Sequence, residues 1–184
     1  EEIILPQDIV AKKPNSISFE EAAGLPSIGI TALQIFNRVD WNQTGNVLIT
    51  GASGGVGNFV LRLILGNLNK KIVVTAGNQE SVQQLINLGL NENQIVNYKQ
   101  DNLAEKILVI NQNQKFDLVI DAVGHQLSEI SPDVLKANGI YANVTHFITP
   151  KASDSLFGVG ATILNISNLI YAKRKIYNHI RTPL

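Results

Sequence analysis

A cluster of four glycines between a β-branched run and an apolar stretch constrains this 184-residue chain more than any other feature. Residues 46–50 (NVLIT) predict a short strand that is buried on both faces. The glycine-rich segment Thr50–Gly57 (TGASGGVG) follows at once, and helix-like sequence runs from about Gly55 to Leu68. A strand, a tight turn and a helix in this order gather main-chain amides at the positive end of the helix.

The middle of the chain repeats this alternation of strand and helix. Further strands are predicted at 71–75, 94–98, 116–121 and 140–144. Helices are predicted from Gln79 to Leu88, from about Asp101, and over a segment holding Leu127, Ile130, Val134 and Leu135 that ends at Asn138–Gly139. Such alternation predicts an α/β fold, a Rossmann-type doubly wound parallel sheet with helices on both faces.

The first 45 residues do not follow the repeat. Ser18-Phe19-Glu20-Glu21 has the form of a capping box and predicts the start of a short helix. A second helix is predicted from about Ile28 to Asn37. These two helices suggest a segment that enters from another domain.

Composition excludes several classes of partner and site. The formal net charge is zero, so the chain lacks the positive charge that binding a nucleic acid requires. It contains no cysteine, which excludes disulfides and thiolate metal sites. The uncharged stretch Ser155–Ala172 is at the short limit for a membrane span and contains several polar residues, so we expect a loop and a buried or interface helix instead.

The glycine cluster has the spacing of a dinucleotide-binding turn. The pattern G-x-G-x-x-G falls on Ala52, Gly54 and Gly57, with alanine at its first position. Gly54 allows the backbone to approach a pyrophosphate, Gly57 allows the helix to pack closely on the strand, and the N–H groups of Gly55 and Val56 face the phosphates. A glycine-rich turn without a ligand is the alternative, but the preceding strand and the continuing βα units favour a bound dinucleotide.

The end of the second strand indicates which dinucleotide. NAD sites place a carboxylate there to accept the ribose 2′-hydroxyl. Here the strand ends in Thr75-Ala76-Gly77-Asn78, and no carboxylate precedes Glu80. Asn78 can donate a hydrogen bond to a 2′-phosphate, and Tyr98 and Lys99 could complete the pocket. The sequence therefore favours NADP(H) over NAD(H).

Several segments together resemble the zinc-independent, quinone oxidoreductase-like branch of the medium-chain dehydrogenase/reductase family. The resemblance lies in A-x-G-G-V-G at the turn and in the segments Leu5–Val10, Phe19–Pro26, Gly29–Ala32, Asn97–Lys99 and Asp117–Gly124. It implies that residues 1–26 are the tail of a GroES-like catalytic domain. Residues 27–184 are then an NAD(P)-binding Rossmann domain that lacks the C-terminal return to the catalytic domain.

The resemblance also implies roles for single residues. Ser53, Gly55 and Val56 would hold the pyrophosphate, and Asn78 and Tyr98 would bind the adenosine phosphate. Thr31 would lie near the nicotinamide ribose, Val123 would line the cofactor groove, and Asn143 would approach the nicotinamide from the fifth strand. The implied reaction is hydride transfer from NADPH to a quinone or an α,β-unsaturated carbonyl. The absence of cysteine is compatible with a location in the cytoplasm, which we expect. An edge strand at Lys175–Arg181 could pair two copies across a two-fold axis.

Two alternatives remain at this point. Tyr171 and Lys175 have the Y-x-x-x-K spacing of short-chain dehydrogenases, but 49 residues precede Thr50, whereas that family has its glycine turn at the N-terminus. A non-catalytic nucleotide-sensing protein with the same fold is the second alternative, because a fold does not fix a function. The sequence identifies no catalytic residue and no proton donor.

Overall fold

The computed structural model describes residues 3–145, 155–156 and 158–165 of the chain. Within them, six strands alternate with helices after an N-terminal segment that contains a short 3-10 turn, and a second 3-10 turn precedes the third strand. The strands are β1 (Asn46–Thr50), β2 (Lys71–Ala76), β3 (Ile95–Asn97), β4 (Phe116–Asp121), β5 (Leu135–Asn143) and β6 (Thr162–Asn165). The helices are α1 (Phe19–Phe36), α2 (Gly55–Asn67), α3 (Gln79–Asn87), α4 (Leu103–Ile110), α5 (Gln126–Glu129) and α6 (Ser131–Val134).

All neighbouring strands pair in parallel, in the order β3-β2-β1-β4-β5-β6. This order confirms the predicted doubly wound sheet, since the chain proceeds outward from β1 in one direction and then outward from β4 in the other. The direction changes between β1 and β4, where Thr50 pairs with Asp121, and Asp121 pairs in turn with Asn143. The carboxyl ends of three central strands therefore lie side by side at the point where such sheets bind ligands.

The sheet separates two apolar layers, which confirms helices on both of its faces. Val47 and Ile49 of β1 pack with residues of α1 and α2, whereas Leu48 between them packs with residues of α4 and α6. Strand side chains point alternately to the two faces, so a strand that is apolar throughout can serve both layers.

The prediction of two separate N-terminal helices was wrong. A single helix, α1, continues through Pro26, and the predicted capping box at its start is present: Ser18 Oγ accepts the Glu21 amide at 3.1 Å, and Glu21 accepts the Ser18 amide at 2.8 Å. Proline removes one main-chain donor, but packing against α2 maintains the helix, with Ile28 lying over Gly55. The proposed domain boundary after residue 26 falls inside α1.

The segment after β4 also differs from the single helix predicted there. It forms two single turns, α5 and α6, and Leu135, expected in the helix, begins β5. The pairing of β4 with β5 shifts register between Phe116 and Leu118, which accommodates the early start of β5.

Within the uncharged stretch Ser155–Ala172, residues 155, 156 and 158 are helical and residues 162–165 form β6, which pairs with β5, whereas residues 166–172 lie outside the described residues. Among the described residues, no helix has both the length and the apolar character needed to cross a membrane. Tyr171, Lys175 and the predicted edge strand Lys175–Arg181 lie outside the described residues.

Candidate functional site

The glycine turn leads from β1 into α2 and leaves main-chain amides at the start of that helix. Gly51 has φ +67°, and its carbonyl accepts the Gly54 amide at 2.9 Å, which closes the turn. The amide of Asn58 donates to the Gly54 carbonyl at 2.9 Å, so the amides of Gly55, Val56 and Gly57 precede this bond. Within the described part of the chain, no side chain caps α2. These donors at the positive end of the helix are suited to bind an anion.

Close approach of the helix to the turn explains the glycine at position 57. A Cβ atom on Gly57 would lie 2.3 Å from the Gly51 carbonyl oxygen and 3.0 Å from Ala52 Cα. A Cβ on Gly51 would lie 2.7 Å from Val123 Cγ2, so the turn also packs against the residues that follow β4. Ala52 is fully buried beneath the turn. The glycines thus allow α2, the turn and the end of β4 to meet.

A cleft of ≈ 880 Å³ lies beside the turn, at the carboxyl edge of the sheet. This volume is within the range of small-molecule sites. Its walls are the segments that follow β1, β2, β3 and β4, with Gly51, Ser53, Gly54, Thr75–Asn78, Ser81, Tyr98, Gln100, Asn102, Leu103, Ala122–His125, Leu127 and Ile130. None of these lining residues is an Asp, Glu, Lys or Arg.

The wall that follows β2 carries neutral hydrogen-bonding groups. Asn78 is the N-cap of α3, and its Oδ1 accepts the Ser81 amide at 2.8 Å, so its NH2 group remains to donate to a ligand. Tyr98 lies against Gly77, where an added Cβ would be 2.5 Å from the phenol oxygen. The main chain of Tyr98 is fixed by a hydrogen bond from its amide to the Ala76 carbonyl at 3.0 Å.

A buried carboxylate fixes the base of the cleft. Asp121 is fully buried, and its Oδ1 accepts the Thr50 hydroxyl at 2.7 Å and the amides of Val123 and Gly124 at 3.0 and 2.8 Å. Its Oδ2 accepts the Tyr141 hydroxyl at 2.6 Å. Burial and the neighbouring negative charge of Asp121 raise the pKa of Tyr141, which stays protonated and donates. Asp121 therefore links β1, β4 and β5 and fixes the turn that carries Val123.

Only some of the site residues predicted from the sequence meet at the cleft. Its walls include Ser53, Gly54, Asn78, Tyr98 and Val123. Gly55 and Val56 are the first residues of α2 beside it, whereas Ala52 and Gly57 lie in the packing of the turn.

Thr31 and Asn143 are not among the residues that line the cleft. Thr31 is 2% exposed, and its hydroxyl donates to the Ser27 carbonyl at 2.7 Å. Asn143 is fully buried at the end of β5, and its Oδ1 accepts the amide and the hydroxyl of Thr145 at 2.7 and 3.0 Å. Its Nδ2 has no hydrogen-bond partner in the described structure.

Of the wall that follows β3 and β4, the sequence predicted Tyr98 and Val123 but missed several neighbouring residues. Gln100, Asn102 and Leu103 follow β3, and His125 directly precedes α5 with φ 52° and ψ −126°, a backbone conformation that favours glycine. The predicted parallel sheet could have indicated these residues, because the loops that follow parallel strands lie at one edge of the sheet. Among the residues that the structure describes, no group of His, Cys, Asp and Glu could hold a metal ion.

Known proteins resemble this chain in sequence and in fold, although no family model matches it. A quinone oxidoreductase of Salmonella typhimurium is 29% identical over 168 residues, which cover 91% of this chain and 49% of the relative. The human mitochondrial NAD(P)H oxidoreductase RTN4IP1 is 32% identical over 139 residues, or 73% of this chain and 33% of the relative. The chain thus spans between a third and a half of these two relatives.

Solved structures resemble this chain in fold. The quinone oxidoreductase of Escherichia coli, crystallised with NADPH, superposes with a TM-score of 0.72 over 91% of this chain and 55% of the other, at 24% identity. The relatives by sequence include quinone oxidoreductases, and the neighbours by structure include quinone oxidoreductases and an enoyl reductase. In sequence and in fold, this chain is similar to the quinone oxidoreductases of the medium-chain dehydrogenase/reductase family.

Proposed function

We propose that this chain is the cofactor-binding part of an NADPH-dependent oxidoreductase that reduces a quinone or another α,β-unsaturated carbonyl. One observation carries the proposal: the uncapped start of α2, at the change of direction in a parallel sheet, faces a cleft large enough for a small-molecule ligand. When bound, NADPH supplies the hydride, and the protein supplies its position. The first relative above is named a quinone oxidoreductase, and a quinone is itself a conjugated carbonyl.

The pyrophosphate is assigned to the glycine turn. The amides of Gly55 and Val56 precede the first helical hydrogen bond of α2 and meet the negative charge at the positive end of the helix. Ser53 and Gly54 line the same wall of the cleft. Ala52 and Gly57 contribute indirectly, by allowing the turn to pack under the ligand.

The adenosine 2′-phosphate is assigned to the wall that follows β2. Asn78 offers its NH2 group there, and Tyr98 offers its hydroxyl beside Gly77. Because the lining residues include no carboxylate, nothing in this wall repels a phosphate. We therefore expect NADPH to bind more tightly than NADH.

The nicotinamide is assigned to the ends of β4 and β5. Val123 lines the groove and is 41% exposed, so its side chain can contact the cofactor directly. Asn143 has an unpartnered Nδ2 that could donate to the carboxamide, and Thr31 is proposed to lie near the nicotinamide ribose. Both side chains are buried, so we expect contacts with them only after a side-chain movement.

The whole enzyme would comprise more than this segment. We propose that residues 1–26 belong to its catalytic domain and residues 27–184 to its nucleotide-binding domain. The chemistry would be zinc-independent, the enzyme dimeric through Lys175–Arg181, and its location cytoplasmic. A zinc requirement for turnover, or a monomer in size-exclusion chromatography at micromolar concentration, would contradict the corresponding expectation.

Calorimetry with NADPH and NADH tests the proposed function. The wild-type chain should bind NADPH more tightly than NADH, whereas binding of neither would refute the proposal. Tight binding without turnover in the whole protein would favour a nucleotide sensor. We expect the 184 residues alone to show negligible turnover, and robust NADPH oxidation by them would contradict that expectation.

A matched pair of variants tests the assignment of the pyrophosphate. Gly55→Pro and Gly55→Ala add the same Cβ next to Ile28, but only the proline removes the amide. Gly55 is the first residue of α2, and Gly54 before it is extended, with φ −80° and ψ 173°, so the site accepts proline without breaking the helix. Loss of one charge-assisted hydrogen bond should weaken NADPH binding of the proline variant about tenfold or more relative to the alanine variant. Equal affinities would remove Gly55 from the site.

A further inference from the structure

Asp121 is a buried carboxylate with no cationic partner among the described residues. Four groups donate to it: the hydroxyls of Thr50 and Tyr141 and the amides of Val123 and Gly124. All four are neutral, and the two amides can only donate. None of these partners carries a positive charge, so the Asp121 carboxylate is hydrogen-bonded by them but not ion-paired.

This charge lies under one half of the proposed cofactor. A dinucleotide whose pyrophosphate is at α2 extends its adenosine towards the ends of β2 and β3 and its nicotinamide towards the ends of β4 and β5. Asp121 is the last residue of β4, and it pairs in register with Asn143 at the end of β5. Val123, which lines the cleft, donates its amide to the same carboxylate. Only Ala122 separates Asp121 in the sequence from Val123, which lines the part of the cleft proposed for the nicotinamide half.

We propose that Asp121 biases the site towards the oxidised cofactor by placing a negative charge under the nicotinamide half. The inference rests on the proposed function. In that reaction NADPH loses a hydride, the acceptor gains the hydride and a proton from water, and the nicotinamide ring changes from neutral to cationic. A nearby negative charge attracts the cationic ring and has little effect on the neutral one. Asp121 thus favours release of the hydride without contacting the acceptor, as a positioned charge and not as a catalytic residue.

Coulomb's law sets the size of the effect. For unit charges on the order of 10 Å apart, an effective dielectric constant between about 20 and 40 gives a preference of about fourfold to fifteenfold. The preference should appear as a ratio of two dissociation constants, for NADP+ and for NADPH. A loss of fold stability alone would change both constants together.

Asp121→Asn is a neutral variant that can keep three of the four hydrogen bonds and reverse the fourth. Its Oδ1 can accept the same three donors, and its NH2 group can donate to the Tyr141 oxygen. Calorimetry on the full chain should show that the Kd for NADP+ relative to that for NADPH rises about fourfold or more. Thr50→Val removes one donor but keeps the charge, so it should leave this ratio unchanged. Equal weakening of both forms in Asp121→Asn would overturn the proposal, whereas a wild-type chain that binds neither form would overturn the proposed function and this inference with it.

A second pair applies if Asp121→Asn fails to fold. Val123 is partly exposed on the cleft wall, so Val123→Lys and Val123→Met place side chains of similar length there, one charged and one neutral. Relative to the methionine variant, the lysine variant should bind NADP+ several-fold more weakly while NADPH changes less. An identical ratio in the two variants would overturn the proposal, because a charge nearer the cofactor would then have no effect on its redox form.

Discussion

Gly57→Ala tests the close packing on which the candidate site is built. The added Cβ would lie 2.3 Å from the Gly51 carbonyl oxygen and 2.9 Å from its carbon, both main-chain atoms that cannot rotate away. To restore ordinary contact, α2 must move from the turn by about 1 Å, and overpacking of this kind costs about 1–3 kcal/mol of unfolding free energy. For a domain of this size the melting temperature should fall by about 2–10 °C. NADPH binding should weaken about tenfold or more, because the amides move with the helix.

Gly66→Ala is the matched control in the same helix. A Cβ at Gly66 meets nothing within 4 Å, so only helix propensity changes, and the variant should gain about 0.5 kcal/mol. Circular-dichroism melts and NADPH titrations of both variants in one buffer make the comparison. A Gly57→Ala protein that melts and binds like the wild type would refute the packing argument, as would an equal loss of stability in Gly66→Ala.

Three further predictions concern the cofactor pocket and two carboxylates. Asn78→Asp should reverse the preference from NADPH to NADH in calorimetry, because a carboxylate repels the 2′-phosphate while aspartate still caps α3. An unchanged preference would exclude the wall that follows β2 as the site of the 2′-phosphate. Tyr141→Phe removes a buried donor to Asp121 and should lower the unfolding free energy by about 1.5–3 kcal/mol in urea titrations, and wild-type stability would contradict the network. Burial raises the pKa of Asp117, but the Lys136 ammonium and two main-chain amides outweigh it and hold this pKa below its usual value. The unfolding free energy of the wild type should therefore exceed that of Asp117→Asn by about 1 kcal/mol above about pH 5, and this difference should shrink as the pH falls through the folded pKa of Asp117. A difference that grows on acidification would contradict the lowered pKa.

The sequence predicted the parallel sheet and the glycine turn because both depend on local signals. The β-branched run before Thr50 and the spacing of Gly54 and Gly57 are readable without knowledge of distant contacts. The continuous helix α1 was not predictable in this way. Proline at position 26 indicates a helix end, yet packing of Ile28 over Gly55 favours continuation, and that contact joins segments that are separate in the sequence.

The sequence predicted only part of the site, because some of its residues come together only through contacts between distant segments. Asn78 and Tyr98 follow their strands directly and were found, whereas Leu103 and His125 reach the cleft only because the sheet brings four loops to one edge. The role of Asp121 depends on the register between β1, β4 and β5, which sequence patterns do not determine. Placement of side chains, as opposed to strands, needed the structure.

In the proposed function, main-chain amides at the start of α2 bind the diphosphate of the cofactor. Titration of the 15N-labelled chain with NADPH, followed by amide chemical shifts, tests it directly. We expect large, saturating shifts for the amides of Gly55 and Val56, with little change at Gly66 at the far end of the same helix. Saturable NADPH binding that leaves the amides of Gly55 and Val56 unshifted would exclude the start of α2 as the diphosphate site.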